Sequence, residues 1–286
     1  MSNQQTDLHM HSTASDGGYT PAELMRKCKD VGLQYVSLTD HDTVSGIKEA
    51  QETAIELGMT FIPGIELSTK FKGKGVHILG YGIDVDDVDF LSMLTQQQMQ
   101  REKRLEVILT KLKACDIDLE KKDVLQFVDG GSIGRPHIAK ALVKRGFVSD
   151  VAEAFDLYLA EGKPAYVGKE KEMTVKEAID WIHRTGGVAI VAHPGHYGLD
   201  ESIIDWVKND SLDGIEIYHR DHLEKEQQKY RVIQKDIEQA LNKSLVITGG
   251  SDFHHEDYGR TIEPLGQTRI DNAYAIQLIK WLEKKR

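Results

Sequence analysis

Residues 6–18, TDLHMHSTASDGG, place two histidines two positions apart and an aspartate directly before a Gly-Gly turn. Side chains alternate faces along a strand, so we expect His9 and His11 to point in the same direction. Two adjacent imidazoles repel each other when protonated and gain little in an apolar core. A shared metal ion explains the pair, whereas Asp16 on its own is typical of a turn.

Further histidines and carboxylates end or follow strand-like segments in the rest of the chain. A single histidine at such a position is more often structural. A whole set at strand ends is not explained in this way, because the carboxyl ends of barrel strands converge on one mouth. His77 is the exception, since it comes early in its segment. The others are His41 in TDHDT, Glu66 in FIPGIE, His193 in VAIVAHP, and Asp252 and His254 in SDFHH.

These side chains together predict a site for divalent metal ions. Imidazole and carboxylate ligands suit manganese, iron or zinc, and the absence of cysteine argues against a closed structural zinc site. The set is larger than one ion needs, so we expect two or three ions. The predicted ligands are His9, His11, Asp16, His41, Glu66, His77, His193, Asp252 and His254.

The charge of such a site favours an anionic substrate. Two or three divalent cations carry more positive charge than the three carboxylates of the set neutralise. A phosphate would balance the remaining positive charge. Metal coordination lowers the pKa of water toward about 7, which makes hydroxide available for attack on phosphorus at neutral pH. A neutral amide suits the residual charge less well.

The elements that must position these residues alternate between strands and helices. Helical patterns with capping boxes at Thr20 and Thr174 separate apolar segments, several of which are continuous, as in strands covered on both faces. Parallel strands alternating with helices indicate an α/β protein, and seven of them predict a TIM-like barrel or a distorted one. The strand segments start at Thr6, Tyr35, Phe61, Val76, Val188, Gly214 and Leu245.

This alternation is interrupted between residues 86 and 172, where a long charged helical pattern precedes shorter ones. We therefore expect a barrel built from residues 1–85 and 173–286, and a helical insertion that covers the mouth of the active site.

Composition limits the binding partners and the cellular location that we expect. The 286 residues carry a net charge of −10, whereas binding to long nucleic acid requires a basic surface, so we expect a small phosphorylated partner. No apolar run is long enough for a bilayer. The first residues lack the features of a signal peptide, and the two cysteines form no motif, which together predict a cytoplasmic protein.

The order of HxH, DGxxTPxEL, TDHDT, PGxE, H, AHP and SDFH resembles the polymerase and histidinol phosphatase (PHP) family, over about residues 6–266. The resemblance is closest to the branch that hydrolyses nucleoside 3′,5′-bisphosphates or trims short 5′-phosphorylated RNA. It implies a distorted seven-stranded barrel with three metal ions. The implied ligand sets are His9, His11, Glu66 and Asp252 for the first ion, Glu66, His77 and His193 for the second, and Asp16, His41 and His254 for the third.

Catalytic residues are expected among the same side chains. Asp252, His193 and His254 are the candidates, and either histidine would assist proton transfer, although a metal-bound histidine is a poor base. Asp40 and Asp42 either orient their neighbours or serve the turn around His41.

Substrate contacts are expected from the insertion and from one strand end. The segment GGSIGRPHIAKAL resembles the substrate side of the bisphosphatase branch, so Arg135 is expected to bind a phosphate and His137 to donate to it. Alternatively, the segment only starts a helix and Arg135 is solvated. His219 in EIYHRDH either lines the pocket or is structural.

The sequence thus predicts a metal-dependent phosphoesterase that releases phosphate from small nucleotides such as adenosine 3′,5′-bisphosphate. The alternatives are a 5′-3′ exoribonuclease acting on short RNA, a histidinol phosphatase, a metallo-amidohydrolase and a non-catalytic metal-binding module.

Overall fold

The computed structural model describes residues 3–128, 133–168, 172–257 and 262–285. One seven-stranded sheet, with its strands in sequence order, forms the framework. The sheet nearly closes into a barrel, because the backbone N–H of Leu8 donates to the carbonyl of Gly249 at 3.2 Å. The predicted α/β barrel is confirmed. Its strands are β1 (Thr6–Asp7), β2 (Tyr35–Leu38), β3 (Thr60–Phe71), β4 (Lys74–Tyr81), β5 (Val188–Val191), β6 (Gly214–His219) and β7 (Val246–Gly250).

Strand direction differs from the expectation in the middle of the sheet. β4 runs antiparallel to both β3 and β5, whereas the other neighbouring pairs are parallel. The prediction of parallel strands throughout is therefore wrong for β4. The physical reason is the loop between β3 and β4, which consists of Lys72 and Gly73 and is far too short for the crossover that a parallel pair requires.

Helices cover the outer face of the barrel, and their starts agree with the sequence signals. Thr20 accepts a hydrogen bond from the backbone N–H of Glu23, and Thr174 caps the later helix in the same way. The helices are α1 (Pro21–Asp30), α2 (Ile47–Glu56), α3 (Val88–Lys113), α4 (Lys121–Leu125), α5 (Arg135–Lys144), α6 (Val151–Ala154), α7 (Val175–Arg184), α8 (Asp200–Asn209), α9 (Glu224–Leu241) and α10 (Asn272–Lys285), with a π-helical turn at Phe155–Leu159.

Two apolar layers hold the barrel together. The larger one lies between the sheet and the covering helices and includes Met25 of α1, Ile182 of α7 and Trp206 of α8. The second layer contains strand residues such as Leu79 and Val246, against which α10 packs. Burial of this surface is the main stabilising contribution to the barrel.

The segment between β4 and α7 is helical and has an apolar cluster of its own. α3 joins it to the barrel: Phe90 and Leu94 pack in the core of the barrel, whereas Leu105 and Leu112 belong to the second apolar cluster, which also contains residues of α5. This second cluster supports our proposal that residues 86–172 form an insertion between the barrel segments 1–85 and 173–286. Across the described residues, no helix combines the length and apolar character that crossing a membrane would take.

Candidate metal centre

The carboxylate of Glu66 in β3 lies at the centre of the predicted ligands and is fully buried. Its Oε2 lies 3.3 Å from Nε2 of both His9 and His11, and 3.1 Å from Nδ1 of His41. His9 and His11 follow the short strand β1, with His9 beside β7. A Cβ on Gly250 would overlap the backbone of His9, so glycine is required at this close approach.

The other oxygen of Glu66 meets two further histidines. Oε1 lies 2.8 Å from Nδ1 of His77 and 3.0 Å from Nε2 of His193. His77 reaches the mouth because β4 is antiparallel: it pairs with Ser68, so the start of β4 lies beside the later part of β3. The apparent exception in the sequence pattern is therefore a consequence of strand direction.

Asp252, after β7, completes the cluster from the opposite side. Its Oδ1 lies 3.1 Å from Nε2 of His11 and 3.6 Å from Nδ1 of His254, and Nε2 of His254 is 3.3 Å from Asp16. All nine predicted ligands thus meet in one region. Candidate ligand atoms within 4.8 Å of one another include those of His9, His11, Glu66 and Asp252, of His11, Asp16, His41 and His254, and of His41, Glu66 and His77.

Several of these atoms are buried without a hydrogen-bond partner among the described residues. They are Nε2 of His9, Nε2 of His11, Nδ1 of His41 and Oε2 of Glu66. Buried polar atoms are normally paired, because leaving one unsatisfied costs free energy. A divalent cation would satisfy these convergent atoms together, and the imidazole and carboxylate set is one that such ions bind, so the residues fit a metal centre.

The histidines of the cluster differ in protonation. Burial lowers the pKa of His41 and of His193 to about 3, so both are neutral, which is the form that binds metal. For His11, burial also disfavours the charge, but Asp252 and Glu66 outweigh it and raise its pKa to about 10. A metal ion must therefore displace a proton from His11.

The carboxylates remain ionised despite their burial. Burial opposes the charge of Glu66, but His41, His77 and His9 hold its pKa well below the ordinary value. His9 and His254 have the same effect on Asp252. The site therefore retains the anionic oxygens that divalent cations require.

Sequence reasoning missed Glu216, a fully buried residue in the middle of β6. One of its oxygens lies 2.9 Å from Nδ1 of His9, and the other accepts the backbone N–H of His193 at 2.7 Å. The first contact fixes the ring of His9 so that Nε2 faces the cluster. The signal that could have identified Glu216 in the sequence is a charged residue inside the apolar segment GIEIYH.

The two aspartates beside His41 hold neighbouring segments. Asp40 accepts hydrogen bonds from the backbone N–H and the hydroxyl of Ser12, at 2.8 and 2.7 Å, and thereby fixes the loop that leads to Asp16. Asp42 accepts the backbone N–H of Ser68 and pairs with Arg101 of α3. The interpretation that they orient their neighbours agrees with these contacts.

A cavity of about 760 Å³ opens over the ligands. Its floor includes His41, Glu66 and Asp252, and Phe155 contributes to an apolar wall. A second cavity of about 250 Å³ adjoins the same ligands and is lined by Arg101, Arg104 and Arg135 among others.

Arg135 and His137, two of the predicted substrate-binding residues, lie in different surroundings. Arg135 begins α5, donates to the carbonyl of Leu159 at 3.1 Å and still lines the second cavity, so it is not simply solvated. Nδ1 of His137 accepts the N–H of Gly134 at 3.0 Å, and burial lowers the pKa of this histidine to about 4. The GGS at 130–132 lies outside the described residues.

His219 is buried behind Asp252, with its Nε2 3.6 Å from Oδ2 of that residue. Neither His137 nor His219 is among the residues that line the two cavities. A direct substrate contact for these two histidines therefore stays a prediction.

Comparison with known proteins agrees with this geometry. Residues 7–258 match the PHP domain family. A 5′-3′ exoribonuclease of Haemophilus influenzae is 36% identical over 250 residues, which cover 87% of this chain and 89% of the relative. A 3′,5′-nucleoside bisphosphate phosphatase of Chromobacterium violaceum is 32% identical over 253 residues, covering 87% and 86%.

A solved structure from Bifidobacterium adolescentis, inferred to be a metal-dependent phosphoesterase, superposes with a TM-score of 0.86 at 28% identity. The superposition covers 96% of this chain and 95% of that one. The family match spans most of the chain, and the names of both relatives above describe enzymes that cleave phosphate esters. The chain therefore belongs to the PHP domain family and is a metal-dependent phosphoesterase.

Proposed function

We propose that the enzyme removes one phosphate from small nucleotides that carry two, with nucleoside 3′,5′-bisphosphates as the preferred substrates. The observation that carries this proposal is the cavity lined by Arg101, Arg104 and Arg135, directly beside the ligands His41 and His77. One phosphate would lie at the metal centre and the other among the arginines.

The arginines are close enough to disfavour one another's charge. Burial, followed by the charge of Arg104, lowers the pKa of Arg101 to about 10, and burial and Arg135 lower the pKa of Arg104. Gathering like charges in a cavity is unfavourable unless an anion binds there. Each guanidinium has five N–H donors, so the contacts of Arg101 with Asp42 leave donors for phosphate oxygens.

The nucleoside would occupy the larger cavity. Its wall from the insertion contains Val143, Val151 and Phe155, which offer apolar and aromatic surface to a base. This arrangement also gives the insertion a role, because it supplies both the aromatic wall and Arg135.

We assign the nine ligands to two or three ions of manganese, iron or zinc, in the sets listed under the family resemblance. Such ions supply charge neutralisation and lower the pKa of water. His193 is oriented by the hydroxyl of Tyr197, 2.9 Å from its Nδ1, and Nδ1 of His254 lies 2.9 Å from the carbonyl of Asp252. Both contacts leave Nε2 for a metal ion, so these histidines act as ligands rather than as proton carriers.

A 5′-3′ exoribonuclease acting on short RNA is the second candidate. A further cavity of about 190 Å³ shares Arg101 and Arg104 with the arginine cavity and adds Lys103, so basic residues continue along α3. The net charge of −10 argues against long RNA.

A hydrolysis screen with added manganese, which measures the release of inorganic phosphate, of nucleotides and of amide-cleavage products, tests the proposal. Nucleoside bisphosphates should rank above mononucleotides, histidinol phosphate and 5′-phosphorylated RNAs of increasing length, and no amide in the panel should be cleaved. If bisphosphates rank no higher than the rest, the substrate assignment is wrong. A rate that rises with RNA length would favour the exoribonuclease, and cleavage of amides alone the amidohydrolase.

Arg135→Ala should lower kcat/KM for a bisphosphate by about 100-fold, because a charge-assisted contact to the second phosphate is lost. The same variant should leave the hydrolysis of an aryl phosphate nearly unchanged. Arg145→Ala is the matched control, since Arg145 ends the same helix and pairs with Asp123. Equal losses on both substrates would exclude a role for Arg135 in binding the second phosphate.

A further inference from the structure

Arg220 is the first residue after β6, and its side chain is 1% exposed. None of its three guanidinium nitrogens, Nε, Nη1 and Nη2, has a hydrogen-bond partner among the described residues. Burying a guanidinium without partners is costly, because the charged group loses its hydration. Such a group is expected to bind an anion that enters the site.

The surroundings of Arg220 place it next to the metal centre. Its Nη2 lies 3.7 Å from Oδ2 of Asp252, too far for a hydrogen bond, whereas Oδ1 of the same carboxylate faces His11 at 3.1 Å. Arg220 also lines the cavity of about 760 Å³ above the ligands. The guanidinium is thus separated from the ligand cluster by one carboxylate, and Arg220 borders the cavity that the substrate enters.

We propose that Arg220 binds the phosphoryl group that is hydrolysed, by donating to one or two of its non-bridging oxygens. The planar fork of an arginine matches phosphate oxygens, and a desolvated donor beside the reacting group stabilises charge more strongly than one in water. This proposal rests on phosphoester hydrolysis and is independent of which nucleotide is the substrate. It adds a phosphate contact on the side of Asp252, distinct from the arginine cavity around Arg135.

A structural role is the competing explanation. Oδ2 of Asp252 is flanked by Nε2 of His219 at 3.6 Å as well as by Arg220, so Arg220 could act by holding Asp252 in place. In that case its loss would weaken metal binding. A phosphate-binding role predicts instead that metal content is retained and that affinity for phosphate falls.

The test compares Arg220→Gln and Arg220→Lys with the wild type, all loaded with manganese. Arg184→Gln is the control, because Arg184 is exposed on α7 and lies over the ring of Trp181. Calorimetry measures the Kd of inorganic phosphate, and elemental analysis measures bound manganese. We expect Arg220→Gln to retain manganese and to bind phosphate at least about tenfold more weakly. Its kcat/KM for phosphoester hydrolysis should fall by about 100-fold.

Arg220→Lys keeps the charge but loses the fork, so its phosphate affinity should lie between those of the wild type and Arg220→Gln. Guanidinium chloride at millimolar concentration should restore part of the activity of an Arg220→Ala variant. Unchanged phosphate affinity, or loss of manganese in step with activity, would overturn the proposal. If Arg220→Gln does not fold, the phosphate affinity and manganese content of Arg220→Lys decide in the same way. Because phosphate is titrated without any nucleotide, failure here is distinct from failure of the bisphosphate assignment.

Discussion

Glu216 connects two ligand-bearing segments through the two oxygens of one carboxylate. One oxygen contacts Nδ1 of His9, and the other accepts the backbone N–H of His193, two residues after β5. Burial disfavours its charge, but His9 outweighs this effect and lowers the pKa of Glu216 to about 2, so it is anionic at neutral pH. An anionic partner makes the ligand nitrogen of His9 more basic and fixes its direction.

Glu216→Gln should lower metal affinity by about 10- to 100-fold while preserving the fold, because shape is kept but the charge behind His9 is lost. Metal titration of chelator-treated protein measures this effect. Asp213→Asn is the control: Asp213 is a buried carboxylate directly before β6, at the other end of the strand, where it contacts His183. It should affect stability alone. Equal metal affinity in Glu216→Gln and the wild type would contradict this role.

At this scale the sequence predicted which side chains converge on one cluster, but not the residues that support them. Most of the nine candidate ligands could be predicted because strand ends converge in a barrel. His77 was the exception, and Glu66 lies inside β3 rather than at its end. Glu216 and Arg220 were missed because their roles depend on which side chains lie opposite them. That information comes from neighbouring strands, and the local sequence does not contain it.

At the scale of the elements, the hairpin of β3 and β4 has a feature that the sequence pattern did not predict. Both strands were predicted, since their apolar character is local. Their relative direction was not, because it depends on the loop: Lys72 and Gly73 have φ values of 48° and 80°, and such two-residue turns connect antiparallel strands. The direction then decides that His77 reaches the metal centre.

Lys72→Asn should stabilise the protein by about 0.5 kcal/mol, because asparagine adopts a positive φ more readily than lysine. Urea unfolding measures the change, and the metal content should remain that of the wild type, since the turn lies beyond the site. Gly73→Ala should destabilise the protein by about 1 kcal/mol, because alanine is strained at this φ. A destabilised Lys72→Asn variant would contradict the expectation that the positive φ of Lys72 costs stability.

For the whole molecule, the metal centre couples folding to protons. Below pH 6.5, the ordinary value for histidine, the unfolded chain protonates His41 and His193, whereas burial keeps both neutral in the fold, with pKa values of about 3. The free energy of unfolding therefore falls as the pH decreases below 6.5. His11 has the opposite sign: its pKa of about 10 stabilises the fold below pH 6.5, and this contribution is lost as the pH rises toward 10.

The metal-free protein should accordingly be most stable near pH 6.5, and metal binding should shift this maximum to higher pH. A divalent ion competes with the proton on His11, so its affinity and the stabilisation that it provides increase as protons become scarce. Thermal unfolding of chelator-treated and manganese-loaded protein, from about pH 5 to about pH 9, measures the difference in Tm. We expect this difference to grow with pH. A difference that is constant or shrinks would mean that His11 does not exchange its proton for a metal ion, and the first ligand set would then lose a member.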